Sequence, residues 1–348
     1  MTRDRVPARL SSKSIKPIRT AAAGVSAWLS LAFGFALPAQ AQPVLTVYTY
    51  DSFAAEWGPG PQIKAGFEAA CGCTLNIVAT DSSIGALRRV QLEGEATEAD
   101  IVLGLDASTA AEARATGLFA PHGLDLSGLE MPVEWTDPDF VPFDFGWFAF
   151  VYNRELLPEP PVSFEALAAS DLRIIIEDPR ADTTGFGLML WVKAAYGERA
   201  PETWRALKPR IVTVTPGWSE AYALFLNGEA DMVLSYTSSP AYHRIAESDD
   251  RFRAARFNEG HYLQVEVAGI VASSPDQELS RQFLAYLVSA EGQAPIPTGN
   301  WMYPVSPDVA LPVGFDSPLT PEETLLLAPE DIEAHGRDWV AEMIDAIR

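Results

Sequence analysis

The chain has 348 residues and carries 47 Asp and Glu against 25 Lys and Arg, a formal net charge of −22. That balance excludes a nucleic-acid binder, because phosphates are held by a basic face. The length exceeds what one hydrophobic core supports, so two lobes are expected.

Residues 1–19 hold six basic residues and one acid, residues 20–37 hold no charge, and Ala39-Gln40-Ala41 follows. A basic start, an apolar run and a small-x-small site read as a secretory leader over 1–41, cleaved after Ala41. The other reading is an uncleaved anchor, since an uncharged run of that length could just cross a bilayer. Without the leader the net charge falls from −22 to −27, which aids solubility and gives a cation a favourable long-range field. No later apolar run is long enough to cross a membrane.

Residues 44–50 are apolar and β-branched and predict a buried strand. Ile63, Phe67 and Ala70 follow at helical spacing, then a strand over 74–79, an amphipathic helix over 84–92 and a strand over 100–105. This alternation predicts a parallel sheet with helices on its faces, and ligands there sit beyond the carboxyl ends of the strands. The loops at Tyr50-Asp51-Ser52, 80–83 and Asp106-Ala107-Ser108 are such ends. Between the first helix and second strand, Cys71 and Cys73 flank Gly72 and are the only cysteines. They read either as a tight disulfide eased by the glycine or as two free thiols, and they fall short of a zinc site.

The aromatic run 143–152 predicts a strand crossing into a second lobe. There we expect a strand over 173–177, a turn at Asp178-Pro179-Arg180, helices over 185–196 and 219–226, and a strand over 231–236. The chain should return near 256–264, followed by a strand over 265–272 and a helix over 275–288. Lobe I is then 42–142 with 257–305 and lobe II is 143–256. The C-terminal segment 306–348, helical over 334–347, stays unassigned to a lobe.

Tyr50, Trp57, Trp218, Tyr236, Tyr242, Trp301 and Tyr303 all stand at predicted strand ends or turns. Flat ring faces suit a flat, cationic heterocycle, at about 0.5–2 kcal/mol per good contact; each could also be a core filler with a polar edge. The turn 178–185 brings amides and Thr183 and Thr184 to a helix start, where a phosphate could bind or Asp182 or Thr183 could simply cap. Thr80-Asp81-Ser82-Ser83 offers similar hydroxyls from the other lobe. His122, His243, His261 and His335 are scattered, with no metal spacing, nucleophile elbow, phosphate loop or dinucleotide fingerprint. Asp51, Asp81, Asp106, Glu220 and Asp231 read as caps or solvated charges. No catalytic residue, metal or cofactor is expected.

The strings VYTYDSF (47–53), WGPGP (57–61), GWSEAY (217–222), LSYTSSPAYH (234–243) and PTGNWMYP (297–304) together closely resemble the periplasmic thiamine-binding proteins of bacterial ABC importers. The likeness runs from about residue 44 to 305 and weakens in the last forty residues. It implies the α/β, two-lobed group II periplasmic-binding-protein fold, each lobe a mixed sheet flanked by helices, with the ligand in the interlobe cleft. It also implies a monomer in the periplasm that hands thiamine or a thiamine phosphate to a membrane permease. The ligand rings would lie among Tyr50, Trp57, Trp218, Tyr236, Tyr242 and Trp301. A phosphate end would be held by Ser82-Ser83, Asp182-Thr183 and Thr237-Ser238-Ser239. The chain departs from the family pattern where Asp182 replaces a hydroxyl residue and Ser82-Ser83 replace an acid followed by Gly. A carboxylate at Asp182 repels a phosphate, so free thiamine is expected to bind better than its pyrophosphate. The alternatives are a thiaminase-like enzyme on the same scaffold, which needs an activated cysteine, and a carrier of iron or a polyamine.

Overall fold

A computed structural model describes residues 42–315 and 323–348; the leader expected over 1–41 lies outside the described residues. Residues 42–348 form one compact unit. Its strands are β1 (Val44–Tyr50), β2 (Thr74–Thr80), β3 (Ile101–Asp106), β4 (Phe119–Ala120), β5 (Phe140–Asn153), β6 (Ile174–Glu177), β7 (Ile211–Thr215), β8 (Met232–Tyr236), β9 (Phe252–Ala254), β10 (His261–Val271), β11 (Tyr303–Pro304) and β12 (Thr324–Leu325). The main path runs β2-β1-β3-β10-β5-β8-β6-β7. β1 pairs in parallel with β2 and β3, and β6 pairs in parallel with β7 and β8. β10 and β5 are antiparallel to each other and to their outer neighbours β3 and β8.

This is the expected mixed α/β architecture, and the sequence shows why it forms. Every residue of β3 and β10 is buried, as central strands covered on both faces should be, including the polar His261, Gln264, Glu266 and Asp106. The fourteen-residue β5 joins the two halves of the sheet. Its residues Phe140 to Trp147 pair with β10, and Phe148 to Tyr152 pair with β8. One core cluster gathers Phe53, Phe67, Phe143 and Phe283 beneath the β1 half. Another gathers Phe148, Phe150, Phe164, Trp191 and Trp204 in the β6 half. Fully burying each such ring contributes about 1.5–3 kcal/mol.

Three expectations change. The strand expected over 265–272 starts earlier, at His261, and runs to Val271 as β10, while Phe257 and Tyr262 pack in the core that holds Phe148 and Trp191. The C-terminal helix Pro329–Ile347 begins five residues early, because a proline in its first turn and Glu330 and Asp331 favour a start there. Its Ile332, Met343 and Ala346 join the same core. The helices Ala107–Ala115, Ala200–Leu207 and Pro240–Ala246 were not anticipated. Of the two readings of the cysteines, the structure has the disulfide: Cys71 and Cys73 are joined at 1.95 Å, with Gly72 at φ +65° in the left-handed region that glycine tolerates.

Candidate functional site

A cavity of about 390 Å³ opens between the two halves, at the carboxyl ends of β1, β2, β6, β7 and β8. Of the residues singled out from sequence, Tyr50, Trp57, Ser82, Ser83, Asp182, Thr183, Trp218, Tyr236, Ser239, Tyr242 and Trp301 all line it. Thr237 and Ser238 do not. Both are almost wholly buried, and the Thr237 amide donates to the Trp147 carbonyl at 2.8 Å. Tyr303 also stays out, stacked on Phe145 at 5.5 Å. The loop after β3 is diverted as well, because Asp106 caps the helix Ala107–Ala115 in a capping box.

The aromatic side chains are held by their polar edges. The Tyr50 ring lies on Gly104, where a Cβ would come within 2.3 Å of ring carbons and where φ is +101°; only glycine fits there. The Tyr50 hydroxyl donates to Glu266 Oε2 at 2.7 Å. Trp218 Nε1 donates to Ser235 Oγ at 2.8 Å, and Tyr236 donates to Gln264 Oε1 at 2.9 Å while stacking on Phe148 at 5.2 Å. Tyr242 donates to Glu247 at 3.0 Å and meets Trp301 edge-on at 5.4 Å and 74°. Trp301 adopts φ +58°, a conformation costing a non-glycine residue about 1–2 kcal/mol. Such strain persists where the surroundings over-determine it: the preceding Gly299 packs so closely that a Cβ would lie 2.8 Å from Pro59. Trp57 is 57 % exposed and forms the rim.

At one end of the cavity three helices begin: Ser83–Glu93, Thr183–Tyr196 and Trp218–Leu226. They converge, for Ser82 Oγ donates to the Ala181 carbonyl at 2.5 Å, and a Cβ on Gly217 would stand 3.6 Å from Asp182 Oδ2. Helix starts with free amides attract anions. Here Asp182 supplies one from the protein: its Oδ1 accepts the Thr184 amide at 2.8 Å and the Thr184 hydroxyl, and the Trp218 amide also stabilises its charge. Burial nevertheless raises Asp182 above the usual carboxylate range. Glu177, fully buried nearby, is pushed well above its ordinary value by burial and then by the charge of Asp182.

Asp51, Ser219, Tyr222, Glu266, Asn300 and Met302 also line the cavity and were missed as site residues. Ser219 Oγ donates to Asp51 Oδ1 across the cleft at 3.2 Å. Glu266 did leave a signal: an acid flanked by Val265 and Val267 in a strand-forming stretch must have a reason to be buried. The lining then holds four carboxyl side chains, Asp51, Asp81, Asp182 and Glu266, with no Lys, Arg or His. Among the described residues, no group of three or more His, Cys, Asp or Glu could hold a metal ion.

Comparison with known proteins places this geometry. Residues 12–294 match the family described as bacterial extracellular solute-binding protein. A thiamine-binding periplasmic protein of Salmonella typhimurium is 51% identical over 322 residues, covering 92% of this chain and 98% of its own. The protein of the same description from Escherichia coli is 50% identical over 312 residues, covering 89% and 95%. A solved periplasmic thiamin binding protein superposes with a TM-score of 0.86 at 50% identity, covering 88% of this chain and 97% of that one. Iron-bound HitA from Pseudomonas aeruginosa shares the fold, with a TM-score of 0.72 at 19% identity over 87% of this chain and 99% of its own.

Proposed function

This chain belongs to the bacterial extracellular solute-binding proteins, and from that premise we propose that it captures thiamine in the periplasm and delivers it to the permease of an ABC importer. One observation carries the choice of ligand: aromatic rings from both halves of the fold share a cavity with four carboxyl side chains and no basic one. Thiamine joins a flat aminopyrimidine to a positively charged thiazolium. Ring faces attract such a cation by about 0.5–2 kcal/mol each, and a carboxylate lining favours positive charge while disfavouring negative. Tyr50, Trp57, Trp218, Tyr236, Tyr242 and Trp301 would hold the rings. Ser82, Ser83, Asp182, Thr183 and Ser239 would meet the hydroxyethyl arm. Thr237 and Ser238, buried behind that end, would support it without contact.

The unphosphorylated vitamin is the preferred form in this reading. A phosphate would need the converging helix starts, and the Asp182 carboxylate already accepts hydrogen bonds there. Lobe I would be 42–147 with 263–305 and lobe II 148–262, carrying the C-terminal helix, and the protein would act as a monomer. It is read as a carrier, not a thiaminase, since the two cysteines are joined and lie outside the cavity lining. A ferric carrier would need phenolic oxygens turned to the metal, whereas Tyr236 and Tyr242 give their hydroxyls to Gln264 and Glu247. The test is intrinsic tryptophan fluorescence and calorimetry against thiamine, its mono- and pyrophosphate, Fe(III) and spermidine, with a product assay for cleavage. Saturable, uncleaved thiamine binding is expected. Tighter binding of iron or spermidine, or cleavage of thiamine, would overturn the proposal.

A further inference from the structure

At the floor of the cavity the two central strands bring carboxyl groups together. Asp144 on β5 stands directly opposite Glu266 on β10, and Glu266 also faces Asp106 on β3. Directly opposed side chains on neighbouring strands have Cβ atoms about 4.5–5.5 Å apart. Asp144 is wholly buried and Glu266 is 6 % exposed, its exposure being to the cavity. Glu266 accepts from Tyr50 at 2.7 Å and from Gln264 Nε2 at 3.2 Å. Asp144 Oδ2 accepts from Asn300 Nδ2 at 2.6 Å, and its Oδ1 has no hydrogen-bond partner.

The groups facing this pair are Tyr50 from β1, Asp106 from β3, Asp182 from the helix start, Tyr236 from β8 and, further back, Glu177. None is a base. Two buried carboxyls so placed cannot both ionise cheaply. Burial, and for Glu266 the charge of Asp144 as well, raises both above the usual carboxylate range, so the pair retains a proton near neutral pH. A cation seated on Glu266 supplies the missing counter-charge.

We infer that Glu266, paired with Asp144, is the residue that selects a cationic ligand, and that it releases a proton to solvent as the cation binds. The inference rests on the capture of thiamine and adds a coupling which that reading does not require. The balance is simple: cation plus carboxylic acid gives a bound cation–carboxylate pair and one free proton. Nothing else is oxidised, reduced or transferred.

The experiment is calorimetry of the purified protein with thiamine at pH 6.5, 7.5 and 8.5, each in two buffers of different ionisation enthalpy. Release approaching one proton is expected at the lower pH, with affinity rising by up to about tenfold per pH unit until the proton is already lost. E266Q should abolish the release, flatten the pH dependence and weaken binding at pH 8.5 by about tenfold or more; it also corrects for any proton exchanged by the ligand itself. D144N leaves Glu266 free to ionise and should reduce the release while strengthening binding at pH 6.5. The proton count on the unaltered protein stands even if a variant fails to fold. Thiamine binding with no proton released and a flat pH profile would overturn this inference and leave the capture reading intact. No thiamine binding at any pH would sink both.

Discussion

Replacing Asp182 by Ser is the sharpest probe of why the cleft should prefer unphosphorylated thiamine. Serine keeps the N-cap of the helix Thr183–Tyr196, so stability should change by only a few tenths of a kcal/mol. What it removes is a carboxylate 2.8 Å from the Thr184 amide, amid the helix starts that a phosphate would have to reach. A phosphate on neighbouring amides would lie about 5 Å from that carboxylate. At an effective dielectric of about 20, two unit charges so spaced repel by roughly 3 kcal/mol. The cleft opens to solvent, which lowers this to about 1–2 kcal/mol, a factor of about 5 to 30. Calorimetry with thiamine and thiamine monophosphate at fixed salt should show the monophosphate-to-thiamine affinity ratio rising about tenfold in D182S. Because burial raises Asp182, the unaltered protein should discriminate less as the pH falls and the carboxylate takes up a proton. An unchanged ratio in D182S would refute the argument, however tightly thiamine itself binds.

Other expectations follow from the same geometry. W301A and Y242A, which remove the edge-on pair, should each weaken thiamine binding by about 1–3 kcal/mol in a fluorescence titration; unchanged affinity in both would remove the stacking role. The double variant C71S/C73S opens a three-residue ring and should lose about 1–2 kcal/mol, lowering Tm by about 2–4 °C in a thermal melt with thiamine affinity intact, since neither sulfur lines the cavity. Asp106 is raised to about 6 by burial. Below about pH 4 it costs nothing, and as pH rises through about 6 the folded state holds back a proton that the unfolded chain gives up, so stability is lost. Asn keeps the cap, so D106N should gain about 1–2 kcal/mol in urea unfolding at pH 8 and nothing at pH 4.

Seven of the eight strands on the main sheet path were legible, because buried β-branched runs such as VLTVYTY and IVLGLD have little other use; the half-exposed edge strand Ile211–Thr215 was not. The aromatic lining was legible for a related reason: large rings at strand ends lie off every helical stripe. What the sequence hid was direction. Tyr303 stands two residues from Trp301, at the start of β11, yet it turns to Phe145 while Trp301 turns to the cavity. Thr237 and Ser238 share a turn with Ser239 but point into the interior. The helices Ala200–Leu207 and Pro240–Ala246 went unread although proline is well suited to the first turn of a helix, and Pro201 and Pro240 stand in those turns here. Glu266 stood out only as an acid between two valines, and neither it nor Asp144 could be placed in the site, because a period-two pattern does not distinguish a core face from a cavity floor. Their pairing depends on the register of β5 against β10, which no local signal fixes.

Charge acts at two ranges in this molecule. The acidic excess, −22 over the full sequence, acts on an incoming ion through solvent that screens it within about 8 Å at physiological salt. It can hasten the encounter with a cation, but it treats a metal ion, a polyamine and a vitamin alike. Discrimination therefore has to be made inside the cavity, where Asp51, Asp81, Asp182 and Glu266 stand in the lining in a medium that screens poorly. There the rings and the carboxyls ask for different things: the rings require a flat body that can shed its water, and the carboxyls require that body to be positive. A hydrated metal ion satisfies only the second, and a neutral heterocycle only the first. A charged aromatic ring satisfies both, which is why the two kinds of side chain belong in one cleft.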